Sequence, residues 1–441
     1  MTLSTNRLAQ LAAIGVASLL VLLPFHAFLS VWIGSSFDLY TAARLWKEVL
    51  LAAVGIAALV LLCKDKKRLA GLPGKPLFWV MGAYVALHIV LGLWALAAQR
   101  VNLTALLYAL DVNLRLVAVF FVAWVIAGKV PWLPRRWAGL LILPAAAVVL
   151  FGLLQAFVLP SDILQHVGYG PHTIAAFQTV DQKPDYIRLQ STLRGANPLG
   201  AYLIVIITAA VGLLFNKRFS TKSKLALCLL LVLSSVVLGL TYSRSAYLGA
   251  VAAAFTALWL LVQNGRSRFT LFLASTFALV MVALFFSLLQ GNNTFQNIFF
   301  HTDETSLSGA SSNEKRAGAL EQGVHDVVHE PLGRGPGTAG PASQYNNHPN
   351  RIAENYYLQI GQEVGWLGLG LFIAMLALVA AALLRRRADT LAVVLLASLV
   401  GLSLVNMLSH AWADDTLAYV WWGLAGIALA RPAILARDET H

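Results

Sequence analysis

The residues able to do chemistry in this 441-residue chain are basic and acidic side chains placed at the edges of long apolar runs. Arg44, Lys47 and Glu48 open one run, and Asp111 and Arg115 stand four apart inside another. Arg188 and Arg194 precede a third. Arg244 lies in the Thr241-Tyr242-Ser243-Arg244-Ser245 break between two more, and Arg351, Glu354 and Asn355 lead into a further one. His410, Asp414 and Asp415 separate the last two. Ionisable groups are expensive to place in hydrocarbon, which makes each of these a candidate functional residue. A spacing of four puts Asp111 and Arg115 on one helix face, where they can pair, and Lys47 can pair with adjacent Glu48. Such pairs account for a charge without any ligand. Arg194 and Arg244 have no acid beside them in sequence. Several guanidinium groups facing one cavity suit a phosphate or diphosphate, because the planar fork donates two parallel hydrogen bonds to such oxygens. Glu354, at the mouth of a hydrophobic helix, offers a general base. His348, six residues earlier, is the competing candidate and is equally readable as a solvated loop side chain.

The elements that position these residues follow from composition. The chain is 59% hydrophobic and 12% charged, against about 25% charged residues in soluble proteins. A soluble enzyme, a disordered chain and a disulfide scaffold are excluded. A span needs about 20 apolar residues, and twelve runs fit, near 8–33, 46–63, 77–98, 104–128, 137–158, 198–215, 225–241, 245–263, 270–289, 355–384, 390–408 and 415–430. The first reads as a span rather than a cleaved signal peptide. The expected fold class is all-α, a polytopic membrane helix bundle.

Basic clusters follow the second, fourth, sixth, eighth, tenth and twelfth runs, and Arg7 precedes the first. Lys and Arg accumulate on the cytoplasmic side. The pattern therefore predicts both termini in the cytoplasm and explains most of the formal charge of +12 without a nucleic-acid partner. Cys63 and Cys228 fall near cytoplasmic span ends and read as free thiols. The expected organisation is 1–290 with spans one to nine and a periplasmic loop near 159–197, then a large periplasmic loop at 291–354, then 355–441 with three spans and a cytoplasmic tail. Within the large loop, Ser311 and Glu314 resemble a capping box and Pro331 ends the run. Ala317, Leu320, Val324 and Val327 form the expected apolar face. Gly333-Arg334-Gly335-Pro336-Gly337 is a turn without the Lys-Ser/Thr ending of a phosphate-binding loop. Gly361, Gly365 and Gly368 fit a close helix–helix contact.

These residues resemble the bacterial O-antigen ligase and polymerase superfamily of membrane glycosyltransferases. Arg244-Ser-Ala-Tyr-Leu248 fits an arginine, three residues, then leucine. Pro331-Leu-Gly-Arg-Gly-Pro-Gly-Thr338 looks like the glycine-rich turn closing the large periplasmic loop. Glu354-Asn355, nine residues, Gly365, two residues and Gly368 fits the signature that starts the next helix. Ligases that attach O-antigen to lipid A-core begin that signature with histidine, and here Glu354 takes its place.

The resemblance implies an inverting glycosyltransferase at the periplasmic face of the bacterial inner membrane, acting in surface polysaccharide assembly. It would move a glycan from an undecaprenyl-diphosphate carrier to a sugar hydroxyl, on a glycan or lipid-anchored glycan acceptor, with no cofactor and no metal. Fixed arginines can neutralise charge developing on a diphosphate leaving group. Arg244 and Arg194 are the expected diphosphate ligands, with Arg188, Arg44 and Lys47 secondary and Arg115, Arg351 and Asn355 also candidate contacts. Glu354, or His348, is the expected base. The Glu354 substitution tilts the reading towards a polymerase. Ligation onto lipid A-core and oligosaccharide transfer to protein are the alternatives within the class. A lipid-linked glycan transporter or flippase is the rival outside it, and would call for broken helices in matching halves, which the sequence does not display.

Overall fold

A computed structural model describes residues 4–72, 74–180, 183–262, 264–273 and 312–430. Helices begin where a side chain can satisfy the free N–H groups of a first turn. α1 (Thr5–Leu22) is capped by Ser4, which accepts from Arg7 N at 3.3 Å. A 3₁₀ turn with Pro24 near its start (Leu23–Phe25) separates it from α2 (His26–Phe37). Next come α3 (Trp46–Cys63), α4 (Pro76–Ala97), α5 (Leu103–Ala127) and α6 (Trp137–Phe157). They are followed by α7 (Ala196–Leu214), α8 (Thr221–Leu240), α9 (Arg244–Leu261) and α10 (Ser312–His329). The last three are α11 (Tyr356–Leu384), α12 (Thr390–Asn406) and α13 (Asp415–Leu429). Asn102, Asn355 and Asp414 cap α5, α11 and α13.

Among the described residues, nine helices are long and apolar enough to cross a membrane, with α1 and α2 counted together and α10, α12 and α13 excluded. α12 is a shorter apolar helix of 17 residues. The chain is an all-α, multi-pass membrane protein. The expected span at 270–289 lies outside the described residues beyond 273. Side chains such as Leu143, Leu225, Val251 and Leu367 are exposed on the outer surface. In a lipid solvent, that is the arrangement an apolar exterior requires.

α13 runs through the centre with every residue from Leu417 to Leu429 buried. Trp412, Trp421 and Trp422 pack there with ring centroids 5.1–5.8 Å apart. α9 and α12 cross where a Cβ on Gly401 would stand 2.2 Å from the Gly249 carbonyl oxygen, so only glycine fits.

The basic clusters that hold Arg68, Lys129 and Arg386 lie at one end of the bundle. Arg68 donates to the Val125 and Trp124 carbonyls at 3.2 and 2.6 Å, and Arg386 to Ala428 O at 2.5 Å. These cations cover the carbonyl ends of α5 and α13, where the helix dipole favours positive charge. Cys63 and Cys228 are free and exposed. The opposite end carries the candidate residues.

Three features depart from the sequence reading. The connection near 159–197 holds an antiparallel hairpin of β1 (Gln178–Val180) and β2 (Lys183–Arg188), with Gln178 opposite Arg188. Two spans are broken, at Leu23–Phe25 and at Val364–Gly365, although not at matching places in two halves. The buried face of α10 is Gly323, Asp326 and Val327, whereas Leu320 and Val324 are exposed. The helix is rotated from the expected apolar face because Asp326 is drawn inward by Arg351 and Gln362. The Ser311 and Glu314 side chains lie outside the described set.

Candidate active site

Asp415, at the first turn of α13, is the centre of an ionic network whose two cations are buried and whose carboxylates are partly exposed. Lys47 approaches it at 3.3 Å and also pairs with Glu48. Arg115 pairs with Asp415 and, at 3.1 Å, with Asp111. His26 Nε2 lies 3.5 Å from Asp415, while His26 Nδ1 accepts from Trp46 Nε1 at 3.0 Å. The pairings of Lys47 with Glu48 and Arg115 with Asp111 are those expected from spacing. The network adds Asp415, so both cations are shared among three carboxylates. Their positions leave Arg44, in the last turn of the short helix Tyr40–Arg44, as the member of this group placed above a ring, 5.5 Å from the Tyr40 centroid.

Arg188 and Arg194 bracket an irregular segment whose residues 189–193 are all buried. Backbone without secondary structure survives at such a place only when its polar groups are satisfied. Gln190 Nε2 donates to Ala175 O and Ala176 O, both at 3.0 Å, and Ser191 Oγ to Val148 O at 2.7 Å. Thr192 Oγ1 donates to Pro24 O at 2.8 Å. Leu189 N donates to Leu240 O at 3.0 Å and Arg188 Nε to Thr241 O at 3.0 Å, tying this segment to the turn before α9. Gly200 on α7 closes against Ser243 and Ala246. Arg188, Arg194 and Arg244 are therefore carried by adjoining segments at one end of the bundle. Arg194 is exposed, and Arg244 is half-buried. His410 stands at the turn before α13. Burial lowers its pKa to about 4, which keeps its imidazole uncharged near neutral pH.

Glu354 precedes Asn355, the cap of α11, at φ +53°. Its carboxylate is 41% exposed and lies 3.3 Å from Arg316 on α10. Asn355 also donates to Met407 O at 3.0 Å. Arg351 is held by Asp326 at 2.5 Å and by Glu330 at 3.3 Å. Burial alone would push the Asp326 carboxyl up, but hydrogen bonds from Gln322, Arg351 and Gln362 outweigh it and hold the group below its ordinary range. His348 is separate from Glu354 in its contacts: its Nε2 meets Gln99 O at 3.3 Å on the turn before α5.

Residues 229–373 match the family model for O-antigen ligase. The resemblance to the O-antigen ligase and polymerase superfamily holds over this segment, which contains Arg244, His348, Arg351, Glu354 and Asn355. The match supports a glycosyltransferase activity of O-antigen ligase or polymerase type. Arg188 and Arg194 lie before it. No curated protein matches the chain.

Inside the matched segment, sequence reasoning passed over Glu363. It is the sole charged residue in the apolar run 356–384, a signal sufficient to flag it. Its side chain is buried, accepting from Asn113 Nδ2 at 2.6 Å and from Gly337 N at 2.8 Å. The helix breaks immediately after it. Gly365 adopts φ +67°, and a Cβ there would stand 2.2 Å from Pro331 O. Gly365 thus receives the glycine-rich turn. Gly361 meets Val327 of α10, and Gly368 lies 3.4 Å, by its Cβ position, from Leu87 of α4.

Proposed function

We propose that this protein is an inverting, metal-independent glycosyltransferase that moves a glycan from an undecaprenyl-diphosphate carrier to a sugar hydroxyl at the periplasmic face, in the assembly of a surface polysaccharide. The observation that carries the reading is the placement of backbone strain. Five non-glycine residues among those described have positive φ, and Ser191, Tyr242 and Glu354 are three of them. They sit in the segments bearing Arg188 and Arg194, bearing Arg244, and forming the start of the family signature. Strained backbone of this kind is held in place by its surroundings and gathers at functional sites.

In this reading Arg244 and Arg194 bind the diphosphate, with Arg188 beside them. Lys47, Arg115 and Arg351 are already balanced by carboxylates and serve mainly to hold the scaffold. The acceptor hydroxyl gives its proton to Glu354 as its oxygen bonds to the anomeric carbon from the face opposite the leaving group. The bond from that carbon to the phosphate oxygen breaks, and the electron pair leaves with the lipid diphosphate, whose added charge the guanidiniums stabilise. Glu354 in place of the ligase histidine favours a polymerase, with longer chains remaining on the carrier.

The test is reconstitution of purified protein with a lipid-diphosphate glycan. New glycosidic bonds and free lipid diphosphate are expected, and Arg244→Ala protein that folds should make neither. Product formation undiminished in Arg244→Ala would remove the assignment. Chains transferred to lipid A-core or to protein would replace polymerase by ligase.

A further inference from the structure

A second polar site lies on the same end of the bundle, beside the segment that carries Glu354. It is a cleft of about 930 Å³ between the end of α4 and the turn after α10, with Trp94, Arg100, Glu330, Arg334, Asn346 and Arg351 in its walls. That volume falls within the ordinary range for ligand sites. The walls are tied together by hydrogen bonds. Asn102 Nδ2 donates to Tyr345 O at 2.6 Å and Asn346 Nδ2 to Arg100 O at 3.0 Å, joining the turn before α5 to the loop beyond the glycine-rich turn.

The charge in this cleft is unbalanced. Arg351 is shared between Asp326 and Glu330, and Arg334 Nε donates to Glu330 at 2.7 Å. Two carboxylates thus serve two arginines and leave Arg100 over. Among the described residues no carboxylate pairs with Arg100; its guanidinium lies over the Trp94 ring, 4.3 Å from the centroid. Stacking of this kind fixes a guanidinium without neutralising it. A fixed cation at the mouth of a cleft with amide, carboxylate and indole walls matches an anionic sugar: its acid group meets Arg100, and its hydroxyls meet Asn346 and the carboxylates.

The cleft adjoins the reacting centre, since His348 and Arg351 line it and Glu354 lies three residues beyond Arg351. Ala353, next to Glu354, packs on Gly323 of α10, three residues from Asp326 at the cleft. That is roughly 5 Å along the helix axis, so a glycan lying in the cleft can reach Glu354. We propose that the cleft is a binding subsite for an acidic sugar, carrying a carboxylate, on the glycan close to the unit that reacts. The proposal rests on the transferase reading for its glycan, but its test does not require transfer.

The experiment is binding of two probes, trigalacturonate and the neutral trisaccharide maltotriose, to the full-length protein in nanodiscs of zwitterionic lipid, followed by calorimetry. Trigalacturonate is expected to bind at least about tenfold more tightly, with an affinity that falls as salt rises. Arg100→Gln should abolish the preference and Arg100→Lys should retain part of it; Arg100 is exposed, so either change loses only its contact with Trp94. Glu354→Gln protein, inactive under the transferase reading, should keep the preference. Equal affinity for the two probes, no binding of either, or a preference unchanged by Arg100→Gln would overturn the proposal. So would displacement of trigalacturonate by phosphatidylglycerol added to the nanodiscs, which would assign the cleft to a lipid headgroup. Loss of transfer in the reconstituted wild type with the sugar preference intact would count against the transferase reading alone.

Discussion

Asn113 on α5 donates to the Glu363 carboxylate at 2.6 Å, and the other oxygen of that carboxylate accepts Gly337 N at 2.8 Å. One buried side chain thereby joins a central span, the helix of the family signature and the glycine-rich turn. Glu363→Ala leaves both donors buried without an acceptor, at about 1–3 kcal/mol each. Glu363→Gln retains one acceptor oxygen and should be less damaging. Thermal unfolding in detergent is expected to rank wild type above Glu363→Gln above Glu363→Ala. An alanine variant as stable as the wild type would show that the turn is held by other contacts.

Asp415 is the shared partner of Lys47 and Arg115. Removing it takes one carboxylate partner from each of two buried cations, which keep Glu48 and Asp111; a lost hydrogen bond to a charged group costs about 1.5–3 kcal/mol. Asp415→Ala should therefore unfold at a lower temperature than the wild type. Adding Lys47→Met to it should cost less than the same change costs in the wild type, because the Lys47–Asp415 contact is already gone. Additive losses in the double variant would show that the residues are not coupled.

Much of this architecture was legible in the chain. Apolar length placed the helices, since a span must satisfy its own backbone in lipid, and local spacing found the pairs Lys47–Glu48 and Asp111–Arg115. What escaped were contacts between distant segments. Asp415 meets Arg115 only after α13 packs on α5, and no periodicity encodes that. The inward face of α10 is set by Asp326, whose polarity argued for solvent until Arg351 and Gln362 supplied partners. Gly365 looked like a helix-packing residue because spacing records a small side chain but not a positive φ. The hairpin after α6 carries too few residues to announce itself.

The Asp326–Arg351 contact predicts acid sensitivity in the loop. The Asp326 carboxyl is held below its ordinary value when folded. Its network therefore contributes fully above the unfolded carboxyl pKa, about 3.9, and that contribution is lost as pH falls through the depressed folded value. Hydrogen exchange of α10 is expected to accelerate as pH is lowered below about 4, after correction for intrinsic exchange. Asp326→Asn should be less protected at neutral pH and should lack this acid-dependent component. A wild-type profile with the same pH dependence as the variant would refute the assignment.

Two glycines of α11 predict opposite outcomes. Gly365→Ala forces a side chain into φ +67° and against Pro331 O; the conformation alone costs about 1–2 kcal/mol, before any clash. Gly370, five residues on, has no atom near its Cβ position. Gly370→Ala should be neutral or raise stability by up to about 1 kcal/mol through helix propensity. Melting both in one detergent controls for handling, and equal effects would show that the break at Val364–Gly365 does not persist in the folded protein.

The role proposed for Glu354 makes a sharper demand than loss of function. Its φ of +53° is a conformation in which histidine is tolerated better than most side chains. The pair with Arg316 at 3.3 Å is half-exposed, so its loss should change stability by under about 1 kcal/mol. Glu354→Gln preserves shape and removes basicity; transfer to the acceptor is expected to fall by at least about 10²-fold, with little change in melting temperature. Glu354→His restores a base at the position where the ligases carry one, and should recover measurable transfer with its activity rising through the histidine range near pH 6.5. His348→Ala, which removes the hydrogen bond to Gln99, should leave rates within about tenfold of wild type if Glu354 is the base. If His348→Ala is silent in transfer while Glu354→Gln retains full rates, neither residue takes the proton. If His348→Ala alone abolishes turnover, the base is His348.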